Sequence, residues 1–174
     1  MSTVTATRAL YQPAREHLRG RIEQVGFFLA DFDATRQAFV LREWRPMPPE
    51  AFEIQGAYHV TLRDEARPEL IKWAWDNDTC LVEAHSHADR GLAGFSPSDI
   101  WGFEEWVPHV RWRLRGRPYA AIVTAGHSFD ALAWLDGSGQ PSQIERLEID
   151  DTVCLATGRT LPRLVELTGH ADDE

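Results

Sequence analysis

Residues 79–99 read T-C-L-V-E-A-H-S-H-A-D-R-G-L-A-G-F-S-P-S-D and carry, in order, the signals of a strand, a loop and a helix. The apolar, β-rich run ends in His85 and His87, which are two residues apart and point to the same face of an extended chain. Two glycines and a proline mark the loop, and Ser96-x-x-Asp99 has the form of a helix start. We therefore expect the strand, the loop and the helix to converge on one pocket.

This pocket is predicted to bind a metal ion. Two imidazole nitrogens, from His85 and His87, and one carboxylate oxygen, from Asp99, are ligands that Zn²⁺ prefers. Three protein ligands leave the fourth tetrahedral position to water, as in hydrolytic zinc sites and unlike closed structural ones. An H-x-H pair alone is common on solvated strands, so the prediction depends on the converging segments. The expected cofactor is one Zn²⁺ per chain.

A zinc hydrolase also needs a base that is not itself a ligand, and Glu23 is the best candidate. It lies at the start of an apolar run that ends at Ala30 and is suited to a core strand. Taken alone, Glu23 is better explained as a strand-edge carboxylate that faces water or pairs with Arg21. A wider pattern favours the catalytic interpretation.

The chain carries three short motifs in this order: Glu23-x-x-Gly26, His85-Ser86-His87 and Ser96-x-x-Asp99. Together they resemble the JAMM signature of the MPN/JAB family of zinc metallopeptidases (the MPN+ type). The resemblance implies that His85, His87 and Asp99 bind zinc, that Glu23 is the general acid/base, and that Ser96 stabilises the tetrahedral intermediate. It extends over most of the chain, from about residue 21 to about residue 136.

The same resemblance implies a fold and a function. The implied fold is α/β, an MPN/JAB-like (cytidine-deaminase-like) layered domain with a central, mostly antiparallel mixed sheet flanked by helices. The implied function is that of a zinc-dependent isopeptidase or peptidase that removes or processes a ubiquitin-like protein at its C-terminus, through zinc-activated water. A compact chain looks like the free-standing prokaryotic members, which are similar to bacterial deubiquitinase-like isopeptidases. Some of these belong to ubiquitin-like conjugation systems in antiviral defence, so a ubiquitin-like protein or its conjugate is the expected partner, and a homodimer is a further expectation.

The chain departs from the family pattern in the loop after the histidines. Eight residues separate His87 from Ser96 where the usual motif has seven, and Ala88 stands where a proline is common. Loops absorb one extra residue at little entropic cost. Because the longer loop can run differently, Ser98 remains an alternative to Ser96 as the serine that faces the pocket.

Two alternative functions remain compatible with the sequence, and two others are disfavoured. A zinc peptidase could act on sulfur-carrier precursors or on cell-wall or phage-tail peptides, and a metal-free MPN scaffold could bind partners without catalysis. A thiol nucleophile at Cys80 is disfavoured because a cysteine inside an apolar strand usually packs as a small hydrophobe. A nucleoside deaminase is disfavoured because the P-C-x-x-C ligand pair is absent.

Composition limits the remaining classes. The chain has 174 residues, 43% hydrophobic and 26% charged, which fits one domain over 1–174 with a core at about 20–150 and a disordered tail at about 168–174. A net charge of −9 argues against nucleic-acid binding, although four arginines cluster between residues 111 and 117. No apolar run is long enough for a membrane span and no secretory signal is recognisable, so we expect a cytoplasmic protein that binds no membrane.

Hydrophobic periodicity also predicts the other elements. We expect helices at 5–18, 68–77 and 97–115, with Pro13 interrupting or kinking the first and Pro108 kinking or splitting the last. We expect strands at 22–31, 37–44, 58–62, 118–124, 129–135 and 143–149. A short link containing Gly126 makes the strands at 118–124 and 129–135 an antiparallel pair.

Overall fold

The structure is a computed structural model that describes residues 2–88 and 91–169, with side chains up to Leu164. Its elements, in chain order, are β1 (Ser2–Ala6), α1 (Arg8–His17), β2 (Val25–Asp33), β3 (Ala38–Pro46), a 3₁₀ turn (Pro49–Ala51), β4 (Phe52–Gln55), β5 (Val60–Leu62), α2 (Ala66–Asp76), β6 (Cys80–Ser86), α3 (Pro97–Arg113), β7 (Tyr119–Ala125), β8 (Ser128–Trp134), β9 (Ser142–Ile149), β10 (Thr152–Leu155) and α4 (Thr160–Gly169). Within the described part of the chain, no helix is both long and apolar enough to cross a membrane.

Seven strands form a closed ring in the order β1-β3-β2-β6-β7-β8-β9, and β9 pairs back with β1. The ring is mixed: β1 runs parallel to both β3 and β9, β6 runs parallel to β7, and the other pairs are antiparallel. Strand β10 extends the sheet from β9, and β4 and β5 form a separate two-stranded sheet. The expected MPN/JAB-like layered domain, with a central, mostly antiparallel mixed sheet flanked by helices, is therefore wrong: the sheet closes into a barrel.

Strand β1 is the reason for the difference. The sequence pattern predicts no strand at residues 2–6 and a helix from residue 5, whereas α1 begins at Arg8 after its N-cap, Thr7. The segment S-T-V-T-A is short, but it is rich in β-branched residues and buries Ser2 and Val4. The segment lies between β3 and β9 and pairs with both, so the backbone N–H and C=O groups at the edges of those strands find hydrogen-bond partners.

The two faces of the ring pack differently. One cluster of buried side chains receives residues from all seven ring strands and from α1, so it fills the enclosed face. The other cluster joins β2, β6, β7 and β8 to helices α2 and α3 on the outer face. Along β6 the alternation places Leu81, Glu83 and His85 toward the helices, and Cys80 and Val82 toward the interior.

Several local predictions can be compared with the structure. The antiparallel pair β7–β8 is confirmed, and Gly126 adopts φ +57° in its turn. Pro108 does not divide α3, which is one helix from Pro97 to Arg113. Helix α4 was not predicted; it ends inside the tail expected to be disordered at 168–174, and residues 170–174 of that tail lie outside the described residues.

Candidate metal centre

The two histidines are delivered by β6, which lies between β2 and β7 in the ring. His85 pairs with Val25 of β2 and Val123 of β7, and it is 2% exposed. His87 follows the strand, and its backbone N–H donates to the carbonyl of Thr124 at 2.8 Å. The two imidazole rings lie with centroids 5.2 Å apart. Flanking strands on both sides therefore fix the position of the H-x-H pair.

The N-terminus of α3 delivers the carboxylate. Ser96 is the N-cap, and its hydroxyl accepts from the backbone N–H of Asp99 at 3.2 Å. In return, Asp99 Oδ2 accepts from the backbone N–H of Ser96 at 2.7 Å and from its hydroxyl at 2.8 Å. This reciprocal capping box holds the Asp99 side chain at the start of the helix. The preceding residue, Phe95, donates its N–H to Thr160 Oγ1 at 3.0 Å, which anchors the end of the loop to α4.

His85, His87 and Asp99 converge, with one ligand atom of each within 4.8 Å of the others, so the group can hold a metal ion. Asp99 Oδ2 lies 3.5 Å from His85 Nε2 and 3.2 Å from His87 Nε2. Buried His85 Nε2 has no hydrogen-bond partner among the described residues, although it faces this carboxylate. A buried ring nitrogen and a carboxylate oxygen at this distance are satisfied either by a hydrogen on the nitrogen or by a metal ion between the two atoms.

The pKa values of His85 and Asp99 are shifted in opposite directions, because the interaction between the two groups outweighs the effect of burial on each. Burial alone lowers the pKa of His85, but Asp99 and then Glu83 raise it to about 10. Burial alone raises the pKa of Asp99, but His85 and the hydrogen bonds to the group lower it far below its usual range. Without a metal ion, the pocket therefore stabilises a protonated His85 beside an ionised Asp99.

Glu23 lies at the same cavity, just before β2. Its backbone N–H donates to the carbonyl of Gly56 at 2.8 Å, and its own carbonyl accepts from Gln55 Nε2 at 3.0 Å. The residue is only 6% exposed and forms no ion pair with Arg21 or any other described cation, so it is not a surface carboxylate. Burial raises the pKa of the Glu23 carboxyl, against the opposing effects of His87 and His85.

A cavity of about 450 Å³ contains all five predicted site residues. Its polar lining includes Glu23, Glu83, His85, His87, Ser96 and Asp99. Ser98, the alternative to Ser96, also lines the cavity but is exposed, whereas the Ser96 hydroxyl is half-buried and engaged in the capping box.

The site also includes two aromatic residues and one carboxylate that the sequence did not predict. Glu83, Tyr119 and Trp106 form a hydrogen-bonded chain that ends at His85. The signal for Glu83 was present in the sequence, because Glu83-x-His85 on a strand places both side chains on one face. His59, an isolated histidine that the sequence did not assign to the site, lies at the cavity wall beside Tyr58 on the β4–β5 connection.

The fold and the site define a closed-barrel protein with a His-His-Asp group that can hold a metal ion. No protein-family model and no curated protein sequence matches the chain. Among solved structures, the chain is similar to the solution structure of protein DSY2949 from Desulfitobacterium hafniense, with a TM-score of 0.54 and 14% sequence identity. The match covers 84% of this chain and 94% of that chain. At this level of identity the likeness concerns the fold alone.

Proposed function

We propose that this protein is a zinc-dependent peptidase whose preferred substrate is a ubiquitin-like protein extended or conjugated at its C-terminus. The observation that carries the proposal is the convergence of His85, His87 and Asp99 on one point beside buried Glu23. The order and types of these residues resemble the JAMM signature, a likeness that concerns the site and not the fold.

Zinc is the proposed metal because the donors and their spacing suit it. Ligand atoms about 2.0–2.1 Å from a tetrahedral zinc ion lie roughly 3.3 Å from one another. The observed separations from Asp99 Oδ2, 3.2 Å to His87 Nε2 and 3.5 Å to His85 Nε2, are close to that value. A bound zinc ion supplies Lewis-acid activation of water and of the scissile carbonyl.

Glu23 is proposed to move the proton. As a carboxylate it accepts a proton from the attacking water, and it then donates that proton to the amine that leaves. Burial raises its pKa, which makes the carboxylate a stronger base than an exposed glutamate and the protonated form easier to reach during turnover. Its backbone hydrogen bond to Gly56 holds it at the cavity without using the side chain.

Ser96 is proposed to donate a hydrogen bond to the oxyanion that develops on the carbonyl. Its hydroxyl donates to Asp99 Oδ2 at 2.8 Å, so the oxyanion competes with Asp99 for that proton. A carboxylate that ligates a cation is a weaker hydrogen-bond acceptor than a free one. In the metal-loaded protein, the Ser96 hydroxyl would therefore turn more easily from Asp99 to the oxyanion.

The cavity wall suggests how an extended peptide tail would bind. Strands β4 and β5 pair only with each other among the described residues, and β5 residues Val60, Thr61 and Leu62 line the cavity. An extended tail can add to the free edge of such a sheet through main-chain hydrogen bonds. Tyr58, 87% exposed on the β4–β5 connection, offers an aromatic surface to the body of the modifier. The leaving nitrogen is the ε-amine of a lysine in an isopeptidase reaction and an α-amine in a linear cleavage.

Zinc content and cleavage test this proposal together. Elemental analysis should find one zinc per wild-type chain, loss of zinc in His87→Ala, and retention in His127→Ala, which changes an exposed histidine outside the ligand group. Cleavage of a ubiquitin-like protein with a C-terminal extension should be lost in Glu23→Gln while zinc stays bound. Absence of zinc after reconstitution of the wild type would reject the hydrolase and leave a binding scaffold.

A substrate panel separates the related alternatives. The panel contains a linear extension, a lysine-linked conjugate, a sulfur-carrier precursor and a cell-wall peptide. Deleting the last residues of the modifier before the scissile bond should abolish cleavage if the tail adds to β5. Unimpaired cleavage of the shortened modifier would refute tail binding, and cleavage of the cell-wall peptide alone would move the proposal to another substrate class.

A further inference from the structure

Glu83 is a buried carboxylate that the proposed reaction does not use. It lies on β6 two residues before His85, and both side chains face the helices that cover the outer face of the ring. Its side chain is only 15% exposed and forms no ion pair with an arginine or lysine in the part of the chain that the structure describes. Burying a carboxylate is costly unless its oxygens are satisfied, so its partners indicate its role.

Both oxygens of Glu83 have defined partners. Oε1 lies 3.3 Å from His85 Nδ1, and Oε2 accepts from the Tyr119 hydroxyl at 2.9 Å. The Tyr119 oxygen in turn accepts from Trp106 Nε1 at 2.9 Å. Tyr119 is fully buried and Trp106 is 8% exposed, so the chain of hydrogen bonds is held by the core between β7 and α3. With both oxygens occupied, Glu83 is unsuited to serve as a free base for the substrate.

The contact with Glu83 determines which nitrogen of His85 faces the metal ligands. A carboxylate accepts only a proton donor, so His85 Nδ1 carries hydrogen. In the neutral ring, Nε2 then presents its lone pair toward Asp99, at the position where the structure leaves it without a hydrogen-bond partner. A carboxylate behind a histidine also makes the opposite nitrogen a stronger ligand. His87 has no corresponding carboxylate at its Nδ1 among the described residues.

From these contacts we infer that Glu83 is the positioning residue of the metal centre, fixing the ring orientation and the tautomer of His85, and that Tyr119 and Trp106 hold Glu83 in place. The inference rests on the metal site of the proposed function. It assigns the two histidines unequal roles: His85 is preorganised by the core, whereas His87 is oriented by its backbone position and by Asp99.

Metal affinity in purified protein is the test, with no need for turnover. Removing the carboxylate in Glu83→Ala is expected to raise the zinc dissociation constant about 10–100-fold, measured by competition with a chromophoric chelator. Glu83→Gln keeps the size of the side chain but removes the charge and replaces one acceptor oxygen with an NH₂ donor, so it can keep only one of the two hydrogen bonds. Its loss of zinc affinity is expected to be smaller than that of Glu83→Ala. Tyr119→Phe, which frees one oxygen of Glu83, should also weaken zinc binding. Glu145→Gln, at an exposed position of β9 outside the cavity, is the matched control and should bind zinc as the wild type does.

A spectroscopic signature separates positioning from general loss of structure. The His85 Nδ1–H proton should give a slowly exchanging, downfield NMR resonance in the wild type that disappears in Glu83→Ala. Visible absorption of the cobalt-substituted protein should shift in the same variant and stay unchanged in Glu145→Gln. If Glu83→Ala does not fold, Glu83→Gln decides by the same readouts.

The outcomes are distinguishable. Wild-type zinc affinity and an unchanged cobalt spectrum in folded Glu83→Ala would overturn this inference, but the proposed metal site itself would remain supported. A wild type that takes up no zinc would overturn the metal centre and this inference together.

Discussion

Gly26 has no room for a side chain, and replacing it with alanine should destabilise the protein. A Cβ atom built on Gly26 would lie 2.1, 2.4 and 2.8 Å from three ring atoms of Trp44 on β3. Carbon atoms in contact prefer about 3.5–4.0 Å, so the ring or the strand must move by roughly 1.5 Å. The Trp44 ring also packs on Phe28, with centroids 4.5 Å apart, and makes an edge-type contact with His17 at a centroid distance of 5.9 Å, so moving it disturbs both contacts.

The magnitude follows from two opposing effects. Overpacking of this kind costs about 1–3 kcal/mol, whereas alanine at a strand position is favoured over glycine by roughly 0.5–1 kcal/mol. The backbone of Gly26 does not have a positive φ, so the second effect applies in full. We expect Gly26→Ala to lower the free energy of unfolding by about 1–2 kcal/mol. Because Gly26 pairs with Ala84, next to His85, the shift should also weaken metal binding.

Urea unfolding of a double-mutant cycle measures this effect. In the Trp44→Ala background the obstruction is gone, so adding Gly26→Ala should be neutral or stabilising. Gly102→Ala is the matched control, because nothing lies within 4 Å of its built Cβ and alanine in the helix α3 should stabilise by up to about 1 kcal/mol. The reasoning would be refuted if Gly26→Ala cost the same in both backgrounds, or if it stabilised the wild type.

Three further predictions concern the cap, the loop anchor and the buried thiol. Ser96→Ala should cost about 1 kcal/mol through loss of the α3 cap, and Ser96→Thr, which keeps a hydroxyl, should recover most of it in thermal melts; an equal loss in both would contradict the capping role. Asp130→Ala should destabilise by roughly 3 kcal/mol, because buried Asp130 accepts several hydrogen bonds, including two from Thr160. It should also weaken metal binding at the proposed site, and an unchanged metal affinity would show that this anchor does not support the site. Burial raises the pKa of Cys80 to about 12, so at pH 8 only about one thiol in 10⁴ is ionised. Iodoacetamide should therefore label half-buried Cys154 and spare Cys80 in folded protein, with Cys80 labelling rising as pH rises toward 12; rapid labelling of Cys80 at pH 8 in peptide mapping would contradict its burial.

The local order of the site could be predicted from the sequence. The alternation of β6 and the cap at Ser96 are short-range patterns, and they place His85, His87 and Asp99 correctly relative to their own elements. The same alternation indicates that Glu83 shares a face with His85, although its role depends on Tyr119, which is 36 residues away. Predicting that contact requires the pairing of β6 with β7, which no local pattern encodes.

Local sequence patterns also could not predict closure of the sheet, because closure depends on pairing between strands that are far apart in the sequence. Strand β1 has five residues, and its stability comes from parallel pairing with β3 and β9, whose partners lie as far as residue 149. Helix α4 similarly depends on a distant partner, because Asp130 binds the N–H and the hydroxyl of Thr160 at its first turn. Contacts of this kind are weak in an isolated segment and appear only when the whole fold has assembled.

By itself, the sequence determined which chemistry is available: an H-x-H pair at a strand end, a capped carboxylate and a glutamate at the start of an apolar strand. Those features are encoded within a few residues, where side-chain alternation and capping act. Only the tertiary structure decided that the strands close into a ring and that Glu23 is buried beside the ligand group. It also decided that a core tyrosine holds the carboxylate behind His85. Burial and long-range pairing are properties of the assembled chain, and they shift the pKa values and fix the ring orientations on which the site depends.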